Sequence, residues 1–452
     1  MLASAARAAR AGQVSNTHRA LATVAVGMSG GVDSSVAALL LKQQGHDVIG
    51  MHMTNWDAAE EGAELQQCIE QDAKDARRVC EQIGIGFHET SFVREYWSAV
   101  FEPLLAGYHS GGTPNPDVMC NRHIKFDRFV EHSLGLGADF VATGHYARLD
   151  RSGGVTDRDG VKTVQLLKAA DETKDQTYFL AAVRQEGLRS ALFPLGDYLK
   201  TEVRTLAADA GLHTASKRES MGICFIGKRR FSTFLESYLP QVPGDFVCID
   251  SGEVIGAHKG YALYTPGQRA RLQRVPKSRV GTNDVGRWYV VDKDVDANRV
   301  YLCEGATHPA LATRTFVTTA PSWISGVPPP ELSGASDGFS DGTVAYGARL
   351  SCSMRIRHPG VIWDGVRVEW ISCADHAAGQ ASSGAGRLQA SFEQAVHDVA
   401  ELQAVAFYDG DVCLGGAQIH TRGPSLLDEV KGLERVGWNG GQGGRIDAFV
   451  GG

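Results

Sequence analysis

Residues 24–35 of this chain, which read Val-Ala-Val-Gly-Met-Ser-Gly-Gly-Val-Asp-Ser-Ser, decide its fold. The apolar run at the start of the stretch predicts a buried strand, and Val36, Leu39 and Leu40 behind it predict the apolar face of a helix. Adjacent glycines let backbone N–H groups approach an anion, and the first turn of a helix adds unpaired N–H groups and a positive dipole end. A strand, a glycine-rich loop and a helix in this order therefore predict a phosphate-binding loop.

The spacing of this stretch excludes two common kinds of phosphate loop. It lacks both the G-x-x-x-x-G-K-[ST] pattern with its lysine and the G-x-G-x-x-G pattern. Asp33 would repel a phosphate unless a cation lay between them, and a hard divalent ion with oxygen ligands, most simply Mg²⁺, meets that need. A plain turn between a strand and a helix is the alternative, but the serines and the strand context favour a phosphate loop.

The rest of the chain predicts an α/β fold with two further β-rich domains. Strand and helix patterns alternate from Thr23 to about Ile226, which predicts a parallel sheet with ligands at the carboxyl ends of its strands. Beyond Phe231, short β-type runs with glycine turns predict two smaller domains, the last of them barrel-like. The predicted boundaries are 1–21 for a leader, 22–230 for the α/β domain, 231–310 and 311–436 for the β-rich domains, and 437–452 for a disordered Gly-rich tail.

Composition narrows the possible functions of the 452-residue chain. A formal net charge of −7 argues against a protein that coats nucleic acid, so any RNA contact must come from local basic patches. No apolar run approaches the length of a membrane span, so no membrane association is expected. Nine scattered cysteines without a C-x-x-C pair argue against a zinc ribbon or a thioredoxin-type site and suit a reducing compartment.

The N-terminal residues have the composition of a targeting segment. The first acidic residue is Asp33, and Arg7, Arg10 and Arg19 lie among many alanines before it. This acid-free, Ala- and Arg-rich composition predicts a mitochondrial transit peptide at 1–21, with a frayed tail as the alternative.

Two cysteine-containing stretches are candidates for chemistry. Residues 113–122 read TPNPDVMCNR, and the two prolines predict a stiff loop rather than a helix. In that loop Asn115 can donate and accept hydrogen bonds, Asp117 can take a proton, and Cys120 is a potential nucleophile. Cys224 lies between glycines with lysines and arginines on both sides, which lower a thiol pKa and enrich the reactive thiolate. A buried structural role for each cysteine is the alternative interpretation.

These motifs, in this order, resemble the tRNA-specific 2-thiouridylase family, and the leader resembles that of its mitochondrial members. The resemblance covers most of residues 23–420. It rests on the segments 27–34, 55–56, 75–79, 113–126, 144–148, 174–180, 222–227 and 264–269.

The resemblance implies an ATP-pyrophosphatase catalytic domain (adenine nucleotide alpha hydrolase-like) at 22–230. It implies that ATP adenylates the C2 carbonyl of the wobble uridine of a tRNA, and that persulfide sulfur then replaces the oxygen. Cys224 would be the persulfide carrier, loaded by an upstream sulfur donor. Cys120 would attack the activated carbon or resolve the persulfide, with a Cys120–Cys224 disulfide formed during turnover, and Asp117 would assist as a base. The implied ATP-binding residues are Gly27, Met28, Ser29, Gly30, Gly31, Val32, Asp33, Ser34, Met53 and Gly144.

The resemblance also implies contacts with the target uracil and with tRNA. Two motifs depart from the family pattern: Ile356 and His358 stand where the family has an aromatic residue and an amide, and Glu401-Leu402-Gln403 replaces Pro-Gly-Gln. The arginines on either side of Ile356 keep a phosphate-binding role. The implied substrate-binding residues are Asn115, Pro116, Asp117, His145, Lys174, Asp175, Gln176, Arg355, Arg357 and Gln403.

Two other functions compete with sulfur transfer. One is another adenylating ligase that shares the phosphate loop, although such an enzyme has no need of Cys120 and Cys224. The other is a catalytically inactive tRNA-binding relative, against which the intact Asp33 and both cysteines argue.

Overall fold

The computed structural model describes residues 21–57, 63–153, 161–218, 231–272, 286–333, 347–371 and 386–431. The predictions for Cys224, for nearly all of the leader and for the Gly-rich tail lie outside these described residues. The chain divides into two compact units, one of Met1–Trp97, Cys120–Val155 and Lys162–Lys228, the other of Ser98–Met119, Thr156–Val161 and Arg229–Gly452.

A five-stranded parallel sheet organises the first unit, as the alternating pattern predicts. Its order is β3-β2-β1-β4-β7, and every neighbouring pair is parallel. An antiparallel hairpin pairs β5 with β6. The strands are β1 (Thr23–Gly27), β2 (Asp47–Thr54), β3 (Gly86–Ser91), β4 (Phe140–Ala142), β5 (Arg148–Asp150), β6 (Gln165–Leu167) and β7 (Ala191–Leu192).

Apolar side chains of the central strand β1 and of the helix Val32–Gln43 form the core of this unit. Val24 and Val26 are fully buried, as is Val36 on the helix. A long helix, Ala63–Ile83, follows β2. The described α-helices of the whole chain are Val32–Gln43, Ala63–Ile83, Val93–Tyr96, Glu102–His109, Pro116–Cys120, Phe129–Gly135, Thr177–Leu180, Gln185–Arg189, Lys200–Asp209, Phe231–Glu236 and Leu426–Lys431, with wider π turns at Trp97–Phe101 and Asn121–Arg128.

The second unit contains two β structures, and the first is a five-stranded sheet. Its order is β10-β11-β12-β8-β9, in which only the β12–β8 pair is parallel. Phe246, Val290 and Leu302 are among the buried residues of its core. The strands are β8 (Gly244–Cys248), β9 (Val254–His258), β10 (Arg269–Ala270), β11 (Trp288–Asp294) and β12 (Arg299–Glu304).

The last β structure is a closed barrel, which confirms the barrel-like prediction. Six strands pair antiparallel in the cycle β13-β17-β16-β15-β18-β19 and back to β13, so the barrel has no free edge within this cycle. The strands are β13 (Ala312–Thr318), β14 (Ser322–Trp323), β15 (Arg349–Arg355), β16 (Ile362–Ile371), β17 (Arg387–His397), β18 (Ala404–Asp409) and β19 (Val412–Arg422). In the part of the chain that the structure describes, no helix has the length and apolar character needed to cross a membrane.

Candidate active site

The predicted phosphate loop connects β1 to the helix Val32–Gln43 at the carboxyl end of the sheet. Inside it, the Ser29 N–H donates to Ser34 Oγ at 3.2 Å, and Ser35 Oγ donates to the Gly31 carbonyl at 2.7 Å. Gly30 has a φ of +73°, and a Cβ there would lie 2.3 Å from the backbone oxygen of Asp72. The loop therefore needs glycine at position 30 for its backbone conformation and for its close approach to the helix Ala63–Ile83.

Two other predicted nucleotide-binding residues lie against this loop. A Cβ at Gly27 would be 3.3 Å from the terminal methyl carbon of Met53. A Cβ at Gly144 would be 2.8 Å from the backbone nitrogen of Ser34. The carboxyl ends of β1, β2 and β4 thus bring Gly27, Met53 and Gly144 to one place, where parallel-sheet proteins bind their ligands.

The cation beside Asp33 is a lysine that sequence reasoning missed. Lys200 Nζ donates to both carboxylate oxygens of Asp33, at 2.8 and 2.7 Å, and the Tyr146 hydroxyl donates to Asp33 Oδ1 at 2.8 Å. Lys200 stands at the start of a helix 167 residues away in sequence, so no local pattern marks it. Among the described residues, no group of three or more His, Cys, Asp or Glu side chains is arranged to hold a metal ion. The carboxylate of Asp33 is thus paired with a lysine and a tyrosine hydroxyl.

Part of the predicted Lys174-Asp175-Gln176 triplet supports Tyr146. The Gln176 side-chain oxygen accepts from the Tyr146 N–H, and the Gln176 N–H donates to the Tyr146 carbonyl, both at 2.9 Å. Asp175 is 1% exposed, and its carboxylate accepts from the Ala169 N–H and the Thr177 hydroxyl. Gln176 thus helps to position the tyrosine that binds Asp33, whereas Lys174 is half-buried and more accessible.

His145 lies in an apolar environment next to Gly144. Its Nδ1 is 2.7 Å from the Thr143 hydroxyl, and its ring lies against Phe126 and Phe193, with centroids 5.7 and 6.0 Å away. Burial lowers the pKa of His145 well below its usual value, and Lys125 adds to this effect. The imidazole is therefore neutral at physiological pH.

The stretch predicted to be a stiff loop contains a short helix, Pro116–Cys120, so the prediction that its prolines exclude a helix is wrong. Proline is tolerated in a first helical turn, where its missing N–H needs no partner. Asn115 caps this helix, since its side-chain oxygen accepts from the N–H groups of Asp117 and Val118 at 2.9 and 3.3 Å. Asp117 stands half-buried in the first turn, and Cys120 ends the helix with 3% of its surface exposed.

The segment that contains Cys224 lies outside the described residues, but Lys217 shortly before it is described. Lys217 Nζ donates to the Gly30 carbonyl at 2.9 Å and to Asp72 at 2.8 Å, and it also binds Asp75. The chain just before the Cys224 segment is therefore attached both to the phosphate loop and to the helix Ala63–Ile83.

The predicted tRNA-binding residues of the second unit lie on or beside its barrel. Arg355 ends β15 and is 8% exposed, whereas Arg357 is more exposed and binds Asp398 at 2.8 Å. Near Gln403, the carbonyl of Glu401 accepts from the Thr113 N–H at 2.7 Å. Within this unit, the replaced Pro-Gly-Gln segment is thus attached to the residues just before Asn115.

The fold and the site define a protein with a glycine-rich loop at the carboxyl end of a parallel sheet, followed by two β domains. Family models agree with this class: residues 22–228 match the tRNA methyl transferase HUP domain, 232–304 the tRNA methyl transferase PRC-barrel domain, and 313–419 the aminomethyltransferase beta-barrel domain.

Similar proteins of known family identify the family to which this chain belongs. The tRNA-specific 2-thiouridylase MnmA of Alkaliphilus oremlandii is 44% identical over 401 residues, covering 88% of this chain and 96% of that protein. That of Bacillus subtilis is 43% identical, covering 88% and 94%, and the mitochondrial tRNA-specific 2-thiouridylase 1 of Gallus gallus is 38% identical, covering 91% and 95%. This chain belongs to the tRNA-specific 2-thiouridylase family.

Proposed function

We propose that this protein is a tRNA sulfurtransferase that converts the wobble uridine to 2-thiouridine at the expense of ATP. Its membership of the 2-thiouridylase family makes tRNA the substrate and thiolation the reaction. The observation that carries the ATP-dependent step is the phosphate loop at Gly27–Ser34, with Met53 and Gly144 against it at the carboxyl edge of the parallel sheet. Loops at this position bind phosphates through backbone N–H groups and the helix dipole.

In this proposal, ATP binds over Gly27–Ser34, and Met53 packs against the adenine. The backbone N–H groups of the loop and the hydroxyls of Ser29 and Ser34 face the phosphates. Mg²⁺ enters as the counterion of ATP in solution. No ligand for it is assigned in the chain.

The next step activates C2 of the uridine for attack by sulfur. Its O2 attacks the α-phosphorus, pyrophosphate leaves, and the C2 carbonyl oxygen becomes part of an adenylate. Asp117 acts as the base for this step, and Asn115 and Pro116 face the uracil. Asn115 also caps the helix that presents Asp117, so it holds the base in place.

Sulfur transfer uses the two predicted cysteines. The terminal sulfur of a Cys224 persulfide, loaded by an upstream donor, attacks C2. The Cys120 thiolate attacks the inner sulfur of Cys224, so the S–S bond of the persulfide breaks, the sulfur stays on C2, and AMP leaves with the former oxygen. A Cys120–Cys224 disulfide results, and a thiol reductant restores both cysteines.

Contacts with the rest of the tRNA come from both units. Lys174 in the first unit and Arg355 and Arg357 in the second supply charges for phosphates, with Gln403 as a polar contact. Asp175 and His145 are buried, and Gln176 is bonded to Tyr146, so these three would act by supporting the site rather than by touching RNA.

The acid-free leader at 1–21 leads us to propose a mitochondrial location. The mitochondrial relative of Gallus gallus, 38% identical, supports this proposal, and the bacterial relative of Alkaliphilus oremlandii is 44% identical. Import of the full chain into isolated mitochondria, with loss of the leader, would test it; a chain that stays outside would contradict it.

A direct test is incubation of the protein with ATP, Mg²⁺, a persulfide sulfur donor and unmodified tRNA, followed by mass analysis of the nucleosides. Cys120→Ser and Cys224→Ser should each abolish 2-thiouridine formation and leave ATP and tRNA binding intact, because each removes a sulfur that the transfer needs. Cys68→Ser, on the helix Ala63–Ile83, is the matched control and should keep activity. Thiolation by either variant would contradict sulfur transfer through these cysteines.

A further inference from the structure

The ammonium group of Lys200 is a feature of the phosphate loop that sequence reasoning missed. Lys200 is 8% exposed, yet its Nζ reaches the first turn of the helix Val32–Gln43, where it binds both oxygens of Asp33. Its backbone N–H donates to Asp171 Oδ2 at 2.9 Å, which holds the start of its own helix. The side chain is thus anchored at its base and directed at the end of the loop.

The loop itself contains no cation. Residues 27–35 include Asp33 and no lysine or arginine, whereas many other phosphate loops contain a lysine that reaches the β- and γ-phosphates. A polyphosphate brought to this loop meets backbone N–H groups and hydroxyls, but also one carboxylate. Without a positive side chain, that carboxylate would oppose binding.

Asp33 holds the lysine in a fixed orientation. Tyr146 donates its hydroxyl to Asp33 Oδ1 at 2.8 Å, and its ring lies under Lys200 Nζ, 5.5 Å from the ring centroid. Tyr146 is 2% exposed and is itself positioned by Gln176. These contacts orient the carboxylate, and the carboxylate in turn orients the ammonium.

We propose that Lys200 is the cation of this phosphate loop. It rests on Asp33 in the absence of nucleotide and moves to the β- and γ-phosphates when ATP binds, where it stabilises the charge of the departing pyrophosphate. Asp33 is then a positioning residue that competes with pyrophosphate for the ammonium and so allows the product to leave. This inference rests on the proposed binding of ATP at Gly27–Ser34.

The deciding experiment measures binding of inorganic pyrophosphate to the full-length chain by calorimetry, with EDTA present so that no divalent ion contributes. Lys200→Met, which keeps most of the apolar stem, should weaken binding by about tenfold or more, as expected for loss of a charge-assisted contact. Lys200→Arg keeps the charge and should remain within about threefold of the unchanged protein. Lys42→Met is the matched control, since that lysine is exposed in the last turn of the helix Val32–Gln43 and should not matter.

Asp33→Asn should change pyrophosphate binding in the direction opposite to Lys200→Met, and it tests the proposal independently. Removing the competing carboxylate charge should tighten pyrophosphate binding in EDTA by about tenfold and slow product release. If Asp33 instead held Mg²⁺, this variant would lose the increase in ATP affinity that Mg²⁺ provides. On our proposal that increase is the same in Asp33→Asn and in the unchanged protein. If a thermal melt shows that Lys200→Met does not fold, pyrophosphate binding by Lys200→Arg and Asp33→Asn still tests the proposal.

The outcomes separate this inference from the proposed function. Equal pyrophosphate binding by Lys200→Met and the unchanged protein overturns the role of Lys200 and leaves the ATP site standing. Weaker binding by folded Asp33→Asn overturns the competition between Asp33 and pyrophosphate. Failure of the unchanged protein to bind ATP with Mg²⁺ overturns the proposed function, and this inference with it.

Discussion

Each unit of this protein contains a lysine with limited exposure near a carboxylate, and the two pairs differ in what surrounds them. In the first unit, Lys200 Nζ binds both oxygens of Asp33 directly, beside the phosphate loop. In the second unit, Lys293 Nζ donates to the carbonyl of Tyr264 at 2.9 Å, and its charged neighbour is Glu401. Burial lowers the pKa of Lys293 to about 8 and raises that of Glu401 to about 7, each against the attraction of the other.

The difference shows how location decides what a buried charge can do. On our proposal, the ammonium of Lys200 exchanges its carboxylate for a phosphate at the loop Gly27–Ser34. Burial makes the charged forms of Lys293 and Glu401 costly. The first pair is therefore tested by binding and catalysis, whereas the second bears on the stability of the second unit and on its dependence on pH.

The largest expected effect on activity comes from a glycine of the first unit that lies against rigid backbone. The comparison is a glycine of the second unit that lies against a flexible side chain. Gly144→Ala would place a Cβ 2.8 Å from the backbone of Asp33 and Ser34, so the loop must shift, and ATP-dependent pyrophosphate release should fall by about 100-fold or more. Gly112→Ala would place a Cβ 2.5 Å from the side chain of Leu402. Because that side chain can move, pyrophosphate release should fall by less than about tenfold.

Gly86→Ala is the control for both glycine substitutions, because no atom lies within 4 Å of a Cβ there. Pyrophosphate release is followed with a coupled phosphate assay at equal folded concentration. Full activity of Gly144→Ala would contradict the close approach of this turn to the loop.

An effect of intermediate size is expected on the dependence of stability on pH, through Lys293 and Glu401. The raised pKa of Glu401 favours the folded state at low pH, and this contribution is lost as pH rises from its usual value of 4.5 towards 7. The lowered pKa of Lys293 acts in the opposite sense, with stability lost as pH falls from 10.5 towards 8. The pair therefore contributes least between pH 7 and 8.

Glu401→Gln should remove the acid part of this dependence. Between pH 5 and 7 the melting temperature of the variant should rise relative to the unchanged protein by about 3 °C, and the difference should then level off. Arg422 also acts on Glu401, so Arg422 is kept in both proteins. A constant difference across this range would show that Glu401 does not titrate there.

The smallest effect is expected from a charge pair on the surface. Arg314 Nη1 lies 2.6 Å from Glu429 Oε2, with both side chains more than a third exposed. Arg314→Ala should lower the free energy of unfolding by less than about 1 kcal/mol in urea, because water and salt screen such pairs. A loss as large as that of a buried pair would contradict the distinction between buried and exposed charges.

Local sequence patterns predicted much of the fold and part of the site. The strand–loop–helix at Gly27–Ser34 was readable because an apolar run, a Gly-Gly pair and an amphipathic run are adjacent, and the parallel sheet and the final barrel are confirmed. The helix Pro116–Cys120 was missed because its proline lies in the first turn, the one helical position that tolerates it. The roles of the predicted site residues stay predictions for the variants to test.

The sequence by itself determined the class of loop, the order of α/β and β-rich regions, and the resemblance to the 2-thiouridylases, because each depends on residues that are adjacent or regularly spaced. Only the tertiary structure decided which cation lies beside Asp33. The sequence argued that a carboxylate in a phosphate loop requires one, and proposed a metal. Folding brings Lys200 across 167 residues to the same carboxylate, since its helix packs on the helix that follows the loop.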